Sequence, residues 1–159
     1  MRGLRKSDLE DLNAVQSDPH VVRYMGDGDE GSRTSVAKWI ARCSQRLRRT
    51  GFGTRAIELR DTGEFVGWVA CIREPQSNEV QLTYAIARQH RRNGYADEAV
   101  AQLLAVYPRM PTFAWVEPSN EASMKILRRH GFSDFGNEPV TPVFPRLYMW
   151  RVFPDDPAF

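Results

Sequence analysis

The chain has 159 residues, near the size of one ordinary domain, and 42% of them are apolar, enough to fill a single core over 1–159. A formal net charge of +2 gives no argument for nucleic acid, although a pI near 8.7 leaves weak attraction to acidic partners. Cys43 and Cys71 have no metal-ligand spacing, Met1-Arg2-Gly3-Leu4-Arg5 leads into no apolar signal core, and no run approaches the roughly 20 apolar residues that span a bilayer, so a cytoplasmic, metal-free domain with no membrane contact is expected.

Residues 2–5 are expected to form an initial strand. Ser7, followed three residues later by Glu10, reads as a capping box opening a helix through about residue 17, with Leu9, Leu12 and Val15 inward and Asp18-Pro19 ending it. The turn-rich, acidic residues 26–31 precede a second helix over 32–49, where Val36, Ile40, Cys43 and Leu47 fall at i, i+4, i+7 and i+11; Gly51 stops it. Runs at 55–60 and 64–72 flank Asp61-Thr62-Gly63 and predict a hairpin. Val80, Leu82, Tyr84 and Ile86 alternate with Gln81, Thr83 and Ala85, which marks a strand over 80–87, and 97–106 reads as a helix. A strand at 112–116, a short helix between Asn120 and Gly131, and strands at 132–135 and 147–153 complete the order.

The junction between the strand at 80–87 and the helix after it is Arg91-Arg92-Asn93-Gly94-Tyr95-Ala96. A strand feeding a helix through small residues lets backbone N–H groups approach an anion, and the helix N-terminus adds unpaired donors and a positive dipole end. Arg91, Gly94 and Ala96 fit the pattern Q/R-x-x-G-x-G/A, which resembles the acyl-CoA pyrophosphate loop of the GNAT N-acetyltransferase superfamily. Asn120 and Ser123, in a helix that ends at Gly131-Phe132, resemble the N-x-x-S helix ending in G-F of the same superfamily. With Asp8-Leu9, Tyr84 and Glu98-Ala99, the chain looks most like the ribosomal-protein N-terminal (alanine) acetyltransferase branch, which also includes enzymes for other amines.

The resemblance implies one α/β (α+β) domain, a mixed sheet of about six to seven strands flanked by about four helices, whose splayed central strands form an acyl-CoA cleft. It implies an acetyltransferase that moves an acetyl group from acetyl-CoA to a primary amine by direct attack in a ternary complex. The acceptor, a peptide N-terminus, an amino-acid-like metabolite or an aminosugar, stays open, as does a homodimer. By carry-over, the backbone of Ile86 and Ala87 faces the pantetheine amides, and the N–H groups from Arg92 through Asn93, Gly94 and Tyr95 to Ala96 take the pyrophosphate, with Arg91 and Arg92 as auxiliary charges. Asn120 and Ser123 complete the cofactor site.

Many members place a thiolate-protonating Tyr where this chain has Leu127, so Ser123 becomes the candidate proton donor. Many also carry a basic Glu where this chain has Gln81; Glu79, two residues earlier on the same strand face, is the candidate general base, with Glu117 second. These two departures leave room for a non-catalytic acyl-CoA-binding regulatory module. Asp27, Asp29 and Glu30 could draw a cationic acceptor, while the basic run Arg33, Lys38, Arg42, Arg46, Arg48 and Arg49 reads chiefly as a solvated face. Trp39, Trp68, Trp115 and Trp150 read as core or pocket-wall residues.

Overall fold

A computed structural model describes residues 1–25, 33–76, 79–108, 110–141 and 144–151. Its seven strands are β1 (Arg2–Gly3), β2 (Gly53–Glu58), β3 (Phe65–Arg73), β4 (Val80–Ile86), β5 (Thr112–Val116), β6 (Phe132–Thr141) and β7 (Phe144–Arg151), in the spatial order β1-β2-β3-β4-β5-β7-β6. Every neighbouring pair is antiparallel except β4 with β5, which is parallel.

Helices cover both faces because the central strands are apolar on both. Val66, Val69 and Cys71 of β3 and Val80 and Leu82 of β4 pack with Ala99, Val100 and Leu103 of α4 (Tyr95–Val106) and Leu127 of α5 (Glu121–Arg129). On the opposite face Trp68, Ala70 and Ala85 meet Leu12 and Val15 of α1 (Leu9–Gln16), Val21 of α2 (Pro19–Met25) and Val36 and Ile40 of α3 (Arg33–Thr50). Burying an aliphatic side chain of this kind contributes about 1.5–3 kcal/mol, so the two layers clamp the sheet.

Three local details depart from the sequence expectations. The Ser7–Glu10 capping box does not form: residues Lys6–Asp8 make a 3-10 turn, α1 starts at Leu9, and the Asp8 carboxylate instead accepts the Arg5 N–H at 2.7 Å. The same carboxylate takes two hydrogen bonds from the Arg2 guanidinium, 2.7 and 2.8 Å, and Arg2 also donates to Glu58 at 2.7 Å, which pins β1 and the start of α1 to β2. Asp18-Pro19 ends α1 but also opens α2, a helix additional to the four expected, since Pro at the first helical position loses no hydrogen bond and the Asp18 carboxylate caps the His20 N–H at 2.8 Å. The last hairpin is longer than expected, because β6 and β7 pair from Phe132 opposite Arg151 to Thr141 opposite Phe144. The acidic stretch with Asp27, Asp29 and Glu30 lies outside the described residues.

Candidate active site

β4 and β5 are paired only where Val80 faces Thr112 and Gln81 faces Phe113, and they part beyond that point. The other edge of β4 stays paired with β3 as far as Ile86 opposite Gly67. Ala87 donates its N–H to the Val66 carbonyl at 2.9 Å, and Val80 donates to Pro111 at 2.9 Å on the opposite side. Alternate residues of an antiparallel strand send both main-chain groups to the same neighbour, so Leu82, Tyr84 and Ile86 direct theirs into the gap. The cleft that results has a volume of about 1000 Å³ and is lined from both faces of the sheet.

At one end of the gap the chain makes a 3-10 turn, Arg88–His90, and enters α4 through two left-handed residues, Arg92 at φ 66° and Gly94 at φ 81°. A turn containing such residues points successive N–H groups inward as a nest, and the first turn of α4 adds donors that no helical carbonyl uses. A Cβ built on Gly94 meets nothing within 4 Å, so the cradle is open on that side. The Asn93 side chain holds the loop from within, donating to the carbonyls of His90 and Arg91, each at 3.2 Å.

Opposite the cradle, Asn120 caps α5 by accepting the Ser123 N–H at 3.2 Å, and Ser123 and Leu127 stand one turn apart on the cleft-lining face. Tyr84 comes from β4 to meet them. Its hydroxyl is buried beside Ser123 without completing a hydrogen bond to it, and burial pushes the phenol up to about 12, so it stays protonated through the neutral range. Asp97, in the first turn of α4, is held by Arg129 at 2.9 Å and His130 at 3.1 Å; these partners outweigh its burial and keep its carboxyl below the ordinary range.

The opposite chamber of the cleft lies between α2, α3 and the sheet. Trp39 and Trp68 form its wall, edge to face with centroids 5.5 Å apart, and Arg42 and Arg46 stand at its rim. Cys43 lies between those arginines; burial pushes its thiol up, against the Thr54 hydroxyl at 3.3 Å and the two guanidiniums. His20 also lines the cleft, and burial together with the charge of Arg91 holds its imidazole below the usual value, so it is neutral at pH 7.

The family described as the acetyltransferase (GNAT) domain matches residues 1–133. The chain belongs to the GNAT acetyltransferase family. Among relatives of this acetyltransferase, an uncharacterised N-acetyltransferase, p20 of Bacillus licheniformis, is 30% identical over 142 residues, 84% of this chain and 79% of the relative. Two solved structures share the fold. RimL, a ribosomal L7/L12 α-N-protein acetyltransferase in complex with coenzyme A, superposes with a TM-score of 0.83 at 15% identity, over 98% of this chain and 94% of that one. The spermidine N-acetyltransferase of Vibrio cholerae, in complex with CoA and spermine, gives 0.78 at 14% identity, over 94% and 92%.

The acetyltransferase fold brings Gly94, Tyr95, Ala96, Asn120, Ser123 and Ile86 to one cleft with Arg91 and Arg92. It does not bring Ala87 there with a free donor, since that N–H is spent on Val66, and the Ile86 carbonyl accepts Arg91 Nε at 3.1 Å. Arg91 is an internal strut rather than a free cation, because its guanidinium lies 3.1 Å from Asp18. Glu79 precedes the first residue of β4 at the end where β4 and β5 are still paired; the cleft opens only beyond it, and Glu79 is not among the lining residues. Glu117 does line the cleft, where β5 ends, with the Ser119 hydroxyl donating to it. Sequence reasoning gave no catalytic part to Tyr84, although the alternation of β4 places it on the same face as Leu82 and Ile86.

No helix among the described residues is long and apolar enough to cross a membrane.

Proposed function

We propose that this acetyltransferase moves an acetyl group from acetyl-CoA to a primary amine by direct attack in a ternary complex, and that it works in the cytoplasm, in keeping with the free thiols of Cys43 and Cys71. The observation that carries the reading is the gap beside β4, with main-chain donors along one edge and an open anion cradle at its end. The residues present fit coenzyme A: the unpaired edge of β4 offers main-chain groups to the thioester arm, and the N–H groups from Arg92 to Ala96 hold the pyrophosphate. Bound there, the cosubstrate supplies an activated acetyl thioester.

The Ile86 N–H, directed into the gap, is the donor for the thioester oxygen as charge gathers on it, a contact of a kind that contributes about 2.7–4 kcal/mol to transition-state stabilisation. The acceptor nitrogen bonds to the acetyl carbon as the carbon–sulfur bond breaks. The Ser123 hydroxyl, backed by the protonated Tyr84 phenol, donates to the departing sulfur. Glu117, the second candidate for the base after Glu79, takes the amine proton; in favour of this choice, Glu117 lines the cleft and Glu79 does not. A free α-amine, with a pKa of about 7.7–8.0, asks far less of that base than a lysine amine near 10.4.

Gly94→Val tests the cradle. A Val side chain resists φ 81° and fills the open side of the nest, so CoA affinity, measured by calorimetry, should fall by at least about tenfold. Unchanged affinity in a folded variant would contradict the assignment.

A further inference from the structure

The chamber between α2, α3 and the sheet carries information about the acceptor that the cradle does not. Its wall is largely apolar, built from Trp39, Trp68, Tyr24, Met25 and Ile72. Arg42 and Arg46 lie on α3 with Trp39 and Cys43, at i, i+3, i+4 and i+7, so one helix face presents both guanidiniums to the cleft. Neither is paired with a carboxylate among the described residues, whereas Arg33 of the same helix is paired with Glu10. Among the described residues, the acidic ones that line the cleft are Asp97, on α4, and Glu117, at the end of β5; neither belongs to α2 or α3.

A second observation points the same way. Trp68 is only 3% exposed, and its Nε1–H has no hydrogen-bond partner. A buried donor left unmet is destabilising, and the residue lines the chamber, so a ligand oxygen brought to it by a small adjustment of the indole meets a donor with no competing partner. Two unpaired guanidiniums and an orphan indole N–H, with an apolar wall between them, are complementary to an anionic oxygen group on an apolar body. A polyamine would meet like charge at Arg42 and Arg46.

Resting on the acetyltransferase reading above, we infer that the acceptor is a small amine that also bears a carboxylate, an apolar amino acid, whose carboxylate is held by Arg42 and Arg46 and whose side chain lies against Trp39 and Trp68.

The experiment compares phenylalanine and leucine with their carboxamides, a peptide amide beginning with phenylalanine, glucosamine 6-phosphate and spermidine, by CoA thiol release at a pH alkaline to all the α-amines. The free acids should exceed their carboxamides in kcat/KM by about tenfold or more, as expected for a charge-assisted contact. Arg42→Gln and Arg46→Gln, at exposed helix positions, should narrow that difference through the KM of the acid, and Trp68→Phe, which keeps an aromatic ring and removes the N–H, should do so partly. Carboxamides, the peptide, the sugar phosphate or spermidine matching or surpassing the acids, or an unaltered ratio in both Arg variants, would overturn this inference and leave the transferase intact. No thiol release with any amine would overturn both.

Discussion

Ser123 and Tyr84 form a pair in which each side chain explains the other. Ser123 is fixed by the Asn120 cap, and Tyr84 reaches it because even-numbered residues of β4 face α5. Burial keeps the phenol protonated, so it can donate to the serine oxygen while the serine donates outward. Ser123→Ala should therefore lower kcat by about 100-fold with CoA affinity nearly intact, and Tyr84→Phe should lower it less; in the double variant the effects should not add. Turnover of the Ser123 variant equal to that of the parent would remove the hydroxyl from the chemistry. Asp8 presents the same logic applied to stability. Burial alone would raise its carboxyl, but the Arg2 guanidinium and the Arg5 N–H outweigh burial and hold it below the ordinary value. Because the folded value is depressed, the stabilisation is complete above the unfolded pKa near 3.9 and is lost as pH falls through the lower folded value. Asp8→Ala should cost about 3 kcal/mol at pH 7 in a urea titration, and the variant should show a shallower acid limb below about pH 4. An unchanged acid limb would assign that transition to other carboxylates.

Strand β4 is where the elements determine what the residues can do. Its N-terminal half is bonded on both edges, and its C-terminal half on one only. That asymmetry requires β3 to lie close, and Gly67 permits it: a Cβ there would come within 2.3 Å of the Ala85 carbonyl oxygen and 2.9 Å of the Ile86 Cα. Gly67→Ala should push β4 toward the gap, cost about 2 kcal/mol in stability and weaken CoA binding together with it; a stable variant with parental affinity would contradict the tight approach. The alternation of residues 80–87, the small residues at 94 and 96 and the Asn120–Ser123 spacing were legible in sequence because each is local. The partnership of Arg91 with Asp18 was not, since it depends on α2, a helix hidden behind a proline that reads as a stop signal. Glu79 falls outside the cleft for a related reason: the point at which β4 and β5 separate is not written in the alternation of either strand.

At the scale of the whole molecule, seven strands between two helical layers make one continuous sheet with a single parallel pair, and the cleft opens at that pair. The cradle and the Ser123–Tyr84 pair lie toward the α4 and α5 layer, and the tryptophan wall with Arg42 and Arg46 lies toward the α2 and α3 layer, so the gap in the sheet joins the proposed cosubstrate side to the proposed acceptor side. Sequence order and motif spacing revealed this architecture, whereas the chamber beside α2 and α3, assembled from residues scattered from His20 to Ile72, had no local signature. The ternary complex proposed above uses this arrangement, with two ligands entering from opposite faces and meeting in the gap. Release of free CoA thiol from acetyl-CoA, measured with and without a panel of primary amines and alongside CoA binding on the same sample, tests this most directly. The account predicts saturable CoA binding and thiol release that depends on the amine; saturable binding with no release for any amine would contradict the transferase and favour a regulatory acyl-CoA-binding module, and no CoA binding would contradict the cleft assignment itself.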